Sequence, residues 1–108
     1  MSESNQQVEN TWNAIDDSFD EAKTKCKTGK QRKDLQDLHN EARTAWFAAQ
    51  RKVFDENEPA VQKTREKLEE ANEDLKTAKE NLDDIVAFLK FAAAAVDLAT
   101  SLAKLAMV

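Results

Sequence analysis

Helix breakers are almost absent from this chain, which has one glycine, Gly29, and one proline, Pro59, in 108 residues. Both residues interrupt helices, because glycine lowers helix stability and proline lacks a backbone donor. Tyrosine is absent, alanine and charged residues are abundant, and no window alternates apolar and polar residues as a half-buried strand does. The sequence therefore predicts an all-α fold, with residues 1–108 forming a single helical domain that turns near Gly29 and Pro59.

The first two helices are predicted from apolar residues that recur at steps of three and four. Helix 1 is expected at about residues 5–27 and helix 2 at about 30–57, packed against each other in an antiparallel bundle. The apolar stripe of helix 1 consists of Val8, Trp12, Ile15, Phe19, Ala22 and Cys26, and that of helix 2 of Leu35, Leu38, Ala42, Ala45, Ala49 and Val53.

The segment after Pro59 allows two architectures. We favour one very long third helix at about 59–107, because an apolar heptad pattern runs through it without interruption and it contains no further glycine or proline. Such a helix would be about 75 Å long, and its apolar half would project beyond the first two helices. The alternative is a break at 81–84, where Asn81 can end a helix and Asp83 or Asp84 can cap a new one. That break gives four helices of similar length in up-down-up-down order.

Residues 85–108 carry most of the apolar surface of the chain. Their only charged residues, Lys90, Asp97 and Lys104, lie seven apart and therefore form one narrow polar stripe on a helix. Two apolar rows remain, and two rows require two packing surfaces, whereas an ordinary bundle helix has one. We expect the second row to be the interface with a partner, through Phe88, Phe91, Leu98, Leu102 and Leu105.

Charge is distributed unevenly along the first part of the chain. Residues 1–22 contain six acidic and no basic residues, whereas 23–33 contain six basic and no acidic ones. Ion pairing with acidic residues near 80–84 is one interpretation of this basic turn, and a patch for phosphate or anionic lipid is the other. The patch would consist of Lys23, Lys25, Lys27, Lys30, Arg32 and Lys33.

The sequence offers little catalytic chemistry. A chain with one glycine has no phosphate-binding glycine loop, and one cysteine with one histidine cannot build a Cys/His metal site. His39 is interpreted as a half-buried structural residue and Cys26 as part of the helix 1 stripe. We therefore predict no enzymatic activity, no cofactor and no metal site.

These features favour a non-enzymatic protein–protein interaction module that self-associates or binds a partner helix through residues 85–108. The partner is expected to be a protein, either a second copy in a homo-oligomer or a separate helix. The alternatives are a membrane-active protein, interfacial or pore-forming, and a small secretion chaperone or toxin-neutralising binder. The net charge of −5 argues against specific nucleic-acid binding. The polar first residues contain no signal-peptide pattern, so we expect a cytoplasmic protein.

Overall fold

The computed structural model describes residues 2–106, and this part of the chain contains four helices and no strand. The all-α prediction is confirmed. The helices are α1 (Glu3–Lys25), α2 (Gly29–Gln50), α3 (Pro59–Lys79) and α4 (Ile85–Lys104).

Each helix begins where a side chain satisfies an amide of its first turn. The four capping side chains all accept a hydrogen bond from the backbone amide three residues ahead, as N-caps do. Pro59 follows the third cap directly, in a position where its missing N–H costs no hydrogen bond. The capping residues are Ser2, Thr28, Glu58 and Asp84.

The prediction of one long third helix is wrong, and the four-helix alternative is confirmed. α3 ends at Lys79, and residues 80–84 form tight turns in which the amide of Asp84 donates to the Asn81 carbonyl at 3.2 Å. Leu82 is buried inside this turn, and Asp84 caps α4. The longest dimension of the molecule is 42 Å, far short of a continuous 75 Å helix. The predicted helix end at residue 107 lies outside the described residues.

The fold-back has a hydrophobic cause. A continuous helix would hold the apolar face of residues 85–104 in water, whereas the fold-back removes it from solvent. The residues of α4 that become buried are Ile85, Phe88, Ala92, Ala95, Val96, Ala99, Leu102 and Ala103.

Helix 2 also ends earlier than predicted, at Gln50 instead of about residue 57. The irregular segment 51–58 changes which side chain faces the core, so Phe54 is buried while Val53, predicted as a core residue, is 69% exposed. This segment crosses the end of the bundle, because α2 and α3 do not contact each other. The carboxylate of Glu56 holds the crossing in place by accepting hydrogen bonds from the hydroxyl and amide of Ser4.

The helices are arranged so that α1 and α4 face each other across the bundle. Each of these two contacts all three other helices, whereas α2 contacts only α1 and α4. Small buried side chains lie at seven-residue intervals on α1, at Ser4, Thr11 and Ser18, and buried alanines recur along α4. In an up-down-up-down order α2 and α4 run parallel, and no connection joins them.

A polar contact fixes the pairing of α1 with α3. The hydroxyl of Thr11, which is fully buried, donates to Asn72 Oδ1 at 2.6 Å. Asn72 Nδ2 donates in turn to the backbone carbonyl and the side-chain oxygen of Gln7, at 3.0 and 2.9 Å. Seven residues before Asn72 on α3, Arg65 donates a hydrogen bond to the carboxylate of Glu56 at 3.3 Å. Because buried polar groups require partners, a slip of one residue between α1 and α3 would be costly.

The cap at Asp84 can be tested by substitution. Asp84→Ala removes the acceptor for the Ala87 amide, which lies 3.1 Å from Asp84 Oδ1, and is expected to lower the free energy of unfolding by about 1 kcal/mol. Asp84→Ser should preserve most of the stability because serine is also a good N-cap. Urea denaturation monitored by circular dichroism measures the free energy of unfolding of both variants. Equal stability of Asp84→Ala and the parent chain would contradict the assignment of the cap.

Candidate protein-binding groove

The five residues predicted to form a partner interface do not lie on one surface. Phe88 and Leu102 are fully buried in the core of the chain itself. Phe91 and Leu98 are half-buried and pack against that core, and Leu105 is 38% exposed. The second apolar row of α4 is therefore covered largely by the chain's own helices. Phe88 and Leu102 are unavailable to a partner in this conformation.

A groove lies between the parallel helices α2 and α4. It has a volume of about 540 Å³ and is open to solvent along one side. α2 contributes Gln31, Asp34, Asp37, Leu38 and Glu41, and α4 contributes Val86, Leu89, Lys90 and Ala93.

The floor of this groove is apolar, and most of it comes from α4. Val86, Leu89 and Ala93 follow one another at steps of three and four, so they lie in line along two turns of the helix. Leu38 faces them from α2. Val86 is 65% exposed, although it sits on the helix that supplies much of the core. Leu38, Leu89 and Ala93 are half-buried, so Val86 is the most accessible apolar side chain of the groove.

Three carboxylates form one wall of the groove. Asp34, Asp37 and Glu41 lie on α2 at steps of three and four, so they too extend in line over two turns. Among the described residues, Lys90 is the only basic side chain that lines the groove, and its ammonium lies 5.9 Å from the centre of the Phe91 ring. The groove therefore has one acidic wall, an apolar floor and a single cation on the opposite side.

Two of the three carboxylates already have basic neighbours on their own helix. Lys30 Nζ lies 2.8 Å from Asp34 Oδ2, and Lys33 Nζ lies 2.9 Å from Asp37 Oδ2. The hydrogen bond to Asp37 raises the pKa of Lys33. Both lysines are largely solvated, with side chains 82% and 75% exposed. Exposed pairs of this kind hold their partners weakly.

The predicted basic patch at residues 23–33 is partly engaged in ion pairs. Lys25 Nζ lies 2.7 Å from Asp83 Oδ1, which joins the α1–α2 turn to the α3–α4 turn. This hydrogen bond, together with the attraction between the two charges, raises the pKa of Lys25 and lowers the pKa of the Asp83 carboxyl. Lys30 and Lys33 pair within α2. Within residues 2–106, the patch residues without an ion pair are Lys23, Lys27 and Arg32, and their role in anion or lipid binding stays a prediction.

An aromatic cluster along the α1–α2 seam was not predicted from the sequence. The His39 ring stacks on Phe19 at 4.2 Å and lies 5.0 Å from Trp12, which in turn stacks on Trp46 at 5.7 Å. Asp16 Oδ1 lies 2.9 Å from His39 Nε2. The signal was present, since Trp12 and Phe19 on α1, like His39 and Trp46 on α2, are seven residues apart. The cluster fixes the His39 ring among packing partners, which fits a structural role.

Cys26 is buried at the C-terminal end of α1. Cys26 is 8% exposed, and burial raises the pKa of its thiol, which keeps the thiol protonated near neutral pH. Within residues 2–106, no group of three or more His, Cys, Asp or Glu side chains is placed to hold a metal ion.

Substitutions of two phenylalanines on α4 test where the second apolar row packs. Phe88→Ala should lower the free energy of unfolding by about 3–5 kcal/mol because it opens a cavity in the core. Phe91→Ala should cost clearly less, because its side chain is only half-buried. Urea unfolding at several protein concentrations measures both effects. If Phe88→Ala changed self-association but left the stability of the monomer unaltered, the intramolecular packing of Phe88 would be refuted.

Comparison with other proteins yields no match to a family model, to a curated protein or to a solved structure. The functional interpretation therefore depends on the geometry of the groove and the chemistry of its lining.

Proposed function

We propose that this chain is a non-enzymatic protein–protein interaction module and that it binds a helix of a partner protein in the groove between α2 and α4. The observation that carries the proposal is the apolar floor of this groove, formed by Leu38, Val86, Leu89 and Ala93. The proposal keeps the C-terminal helix as the binding element and moves the binding surface to the side of α4 that faces α2.

A helix is the occupant that suits the shape of the groove best. Its two sides are parallel helices, and the lining residues span eight residues of α4, about 10.5 Å at about 1.5 Å per residue. An amphipathic helix presents apolar side chains at the same spacing and can lay two or three turns into such a groove. Full burial of a valine or leucine side chain contributes about 1.5–3 kcal/mol. Val86, which is 65% exposed, gains the most from being covered by such a helix.

A separate partner fits better than a second copy of the chain. Phe88 and Leu102, which we expected at the interface with a second copy or a partner helix, already pack inside the bundle. Each copy also carries a net charge of −5, which opposes close association of identical chains. A small secretion chaperone or a toxin-neutralising binder would use the same groove, and the identity of the captured helix would distinguish these roles.

Site-specific photo-cross-linking tests the proposal in the cells that naturally make the protein. A benzophenone amino acid in place of Val86, on the groove floor, should give a discrete adduct with a partner protein. The matched control places the same group at Val53, which is 69% exposed and lies outside the groove, against 65% for Val86. Ala93→Glu should abolish the Val86 adduct because it puts a charge on the apolar floor.

Three outcomes of the cross-linking are informative. Equal adducts from both positions, or none from Val86, would contradict binding in the groove. An adduct at twice the 12.2 kDa mass of the chain would instead identify a second copy as the occupant.

Membrane activity is the second candidate, and the character of α4 favours it. Among the described residues, α4 alone is long and apolar enough to cross a bilayer by length and composition. The helix would have to leave the bundle first, because Phe88 and Leu102 lie in the core. Such a protein should release dye from vesicles that contain anionic lipid and should sediment with them. Intact vesicles with all the protein left in the supernatant would eliminate this candidate.

A further inference from the structure

We infer that the helix bound by the α2–α4 groove is cationic: a basic amphipathic segment of a partner protein with lysine or arginine along one flank of its apolar face. This inference rests on the proposed function, and it specifies the chemistry of the partner. It comes from the charges that line the groove, in which Asp34, Asp37 and Glu41 stand against the single cation Lys90.

The carboxylates and the apolar floor form two tracks that match in length and direction. Asp34 and Glu41 are seven residues apart on α2, and Val86 and Ala93 are seven apart on α4, so each track is about 10.5 Å long. Because the two helices run parallel, both tracks extend the same way. A helix placed between them would put its apolar residues on the α4 floor and the residues of one adjacent flank against the α2 carboxylates. Basic residues at steps of three and four on that flank would meet the three carboxylates in turn.

The carboxylates can be transferred from their present partners to an incoming helix. Lys30 and Lys33 hold Asp34 and Asp37 from the solvent side, and Glu41 has no ion-pair partner within residues 2–106. Both lysines remain hydrated when they release their carboxylates, because their side chains are already more than 70% exposed. A bound helix would also shield the new pairs from water, which strengthens them relative to the exposed ones.

Lys90 gives the bound helix an orientation. It lies on the α4 side of the groove, opposite the carboxylate wall. The basic flank of a bound helix is therefore attracted by the carboxylates of α2 and repelled by Lys90 of α4. An acidic or polar residue on its other flank would pair with Lys90. Complementary charges of this kind set specificity and association rate more than affinity.

A pair of designed peptides tests the sign of the partner's charge. The first is an alanine-based helix of about 18 residues, long enough to be helical on binding, with leucines at steps of three and four and lysines along one flank. The second replaces each lysine by glutamate and leaves the apolar face unchanged. Fluorescence anisotropy should show at least about tenfold tighter binding of the basic peptide at low salt, and the difference should shrink at high salt as screening increases.

Charge-matched variants of the protein locate the effect in the groove. Asp34→Asn with Glu41→Gln should weaken binding of the basic peptide about three- to tenfold, as expected for the loss of two ion pairs. Glu66→Gln with Glu70→Gln changes the net charge equally at two exposed positions of α3 outside the groove, and it should leave the affinity nearly unchanged. The affinity of the acidic peptide should not fall in either variant.

Removal of the competing lysines should have the opposite effect on the affinity for the basic peptide. Lys30→Gln with Lys33→Gln frees Asp34 and Asp37 and is expected to tighten binding of the basic peptide. Its control is Lys63→Gln with Lys67→Gln, two exposed lysines of α3. The two double variants have the same net charge, so tighter binding in the first alone identifies competition for the groove carboxylates.

The outcomes separate this inference from the proposed function. Equal affinity for the two peptides, with both lost in Ala93→Glu, would overturn the cationic partner and leave helix binding in the groove standing. Equal weakening by the α2 and α3 carboxylate variants would show diffuse attraction to an acidic protein and would also overturn the inference. If neither peptide binds and amide chemical shifts of α2 and α4 stay unchanged, the inference and the proposed binding groove both fail.

Discussion

The structure depends on removing the apolar surface of α4 from water. Residues 85–104 contain two apolar rows, and one neighbouring helix could cover only one of them. Both rows are covered because α4 folds back along α3 and packs against α1, α2 and α3. The turn at 80–84 makes the fold-back feasible within five residues. The groove between α2 and α4 lies where this packing leaves one side of α4 partly uncovered.

Polar groups decide which of several similar bundles forms. Apolar stripes alone would allow many registers, because leucine and alanine fit almost any neighbour. The Thr11–Asn72 contact and the Ser4–Glu56–Arg65 cluster have partners only in one register, so they specify how α3 lies against α1. Glu56 also fixes the crossing segment, whose course separates α2 from α3. That separation makes α2 and α4 direct neighbours, and the groove exists because of it.

Much of the fold could be read from local patterns, and the errors have identifiable physical causes. Periodicity predicted α1 closely, and the capping residues within 81–84 located the alternative break, since both signals are local. The end of α2 was misplaced because the burial of Phe54, a tertiary contact, overrode a helical pattern that extended to Val53. Of the predicted interface, Phe88 and Leu102 turned inward. An apolar row in a sequence does not reveal whether its cover comes from the same chain or from another.

The sequence by itself determined the helical class, the turns near Gly29 and Pro59 and the amphipathic stripes, because these depend on residues within a few positions of one another. It also contained the spacing of Asp34 and Glu41 and that of Val86 and Ala93. Only the tertiary structure decided that these two tracks face each other across one groove, since they lie about fifty residues apart in the chain. It likewise decided that residues 59–104 form two helices and not one, because burial of the core face of α4 outweighed the continuity of the heptad pattern.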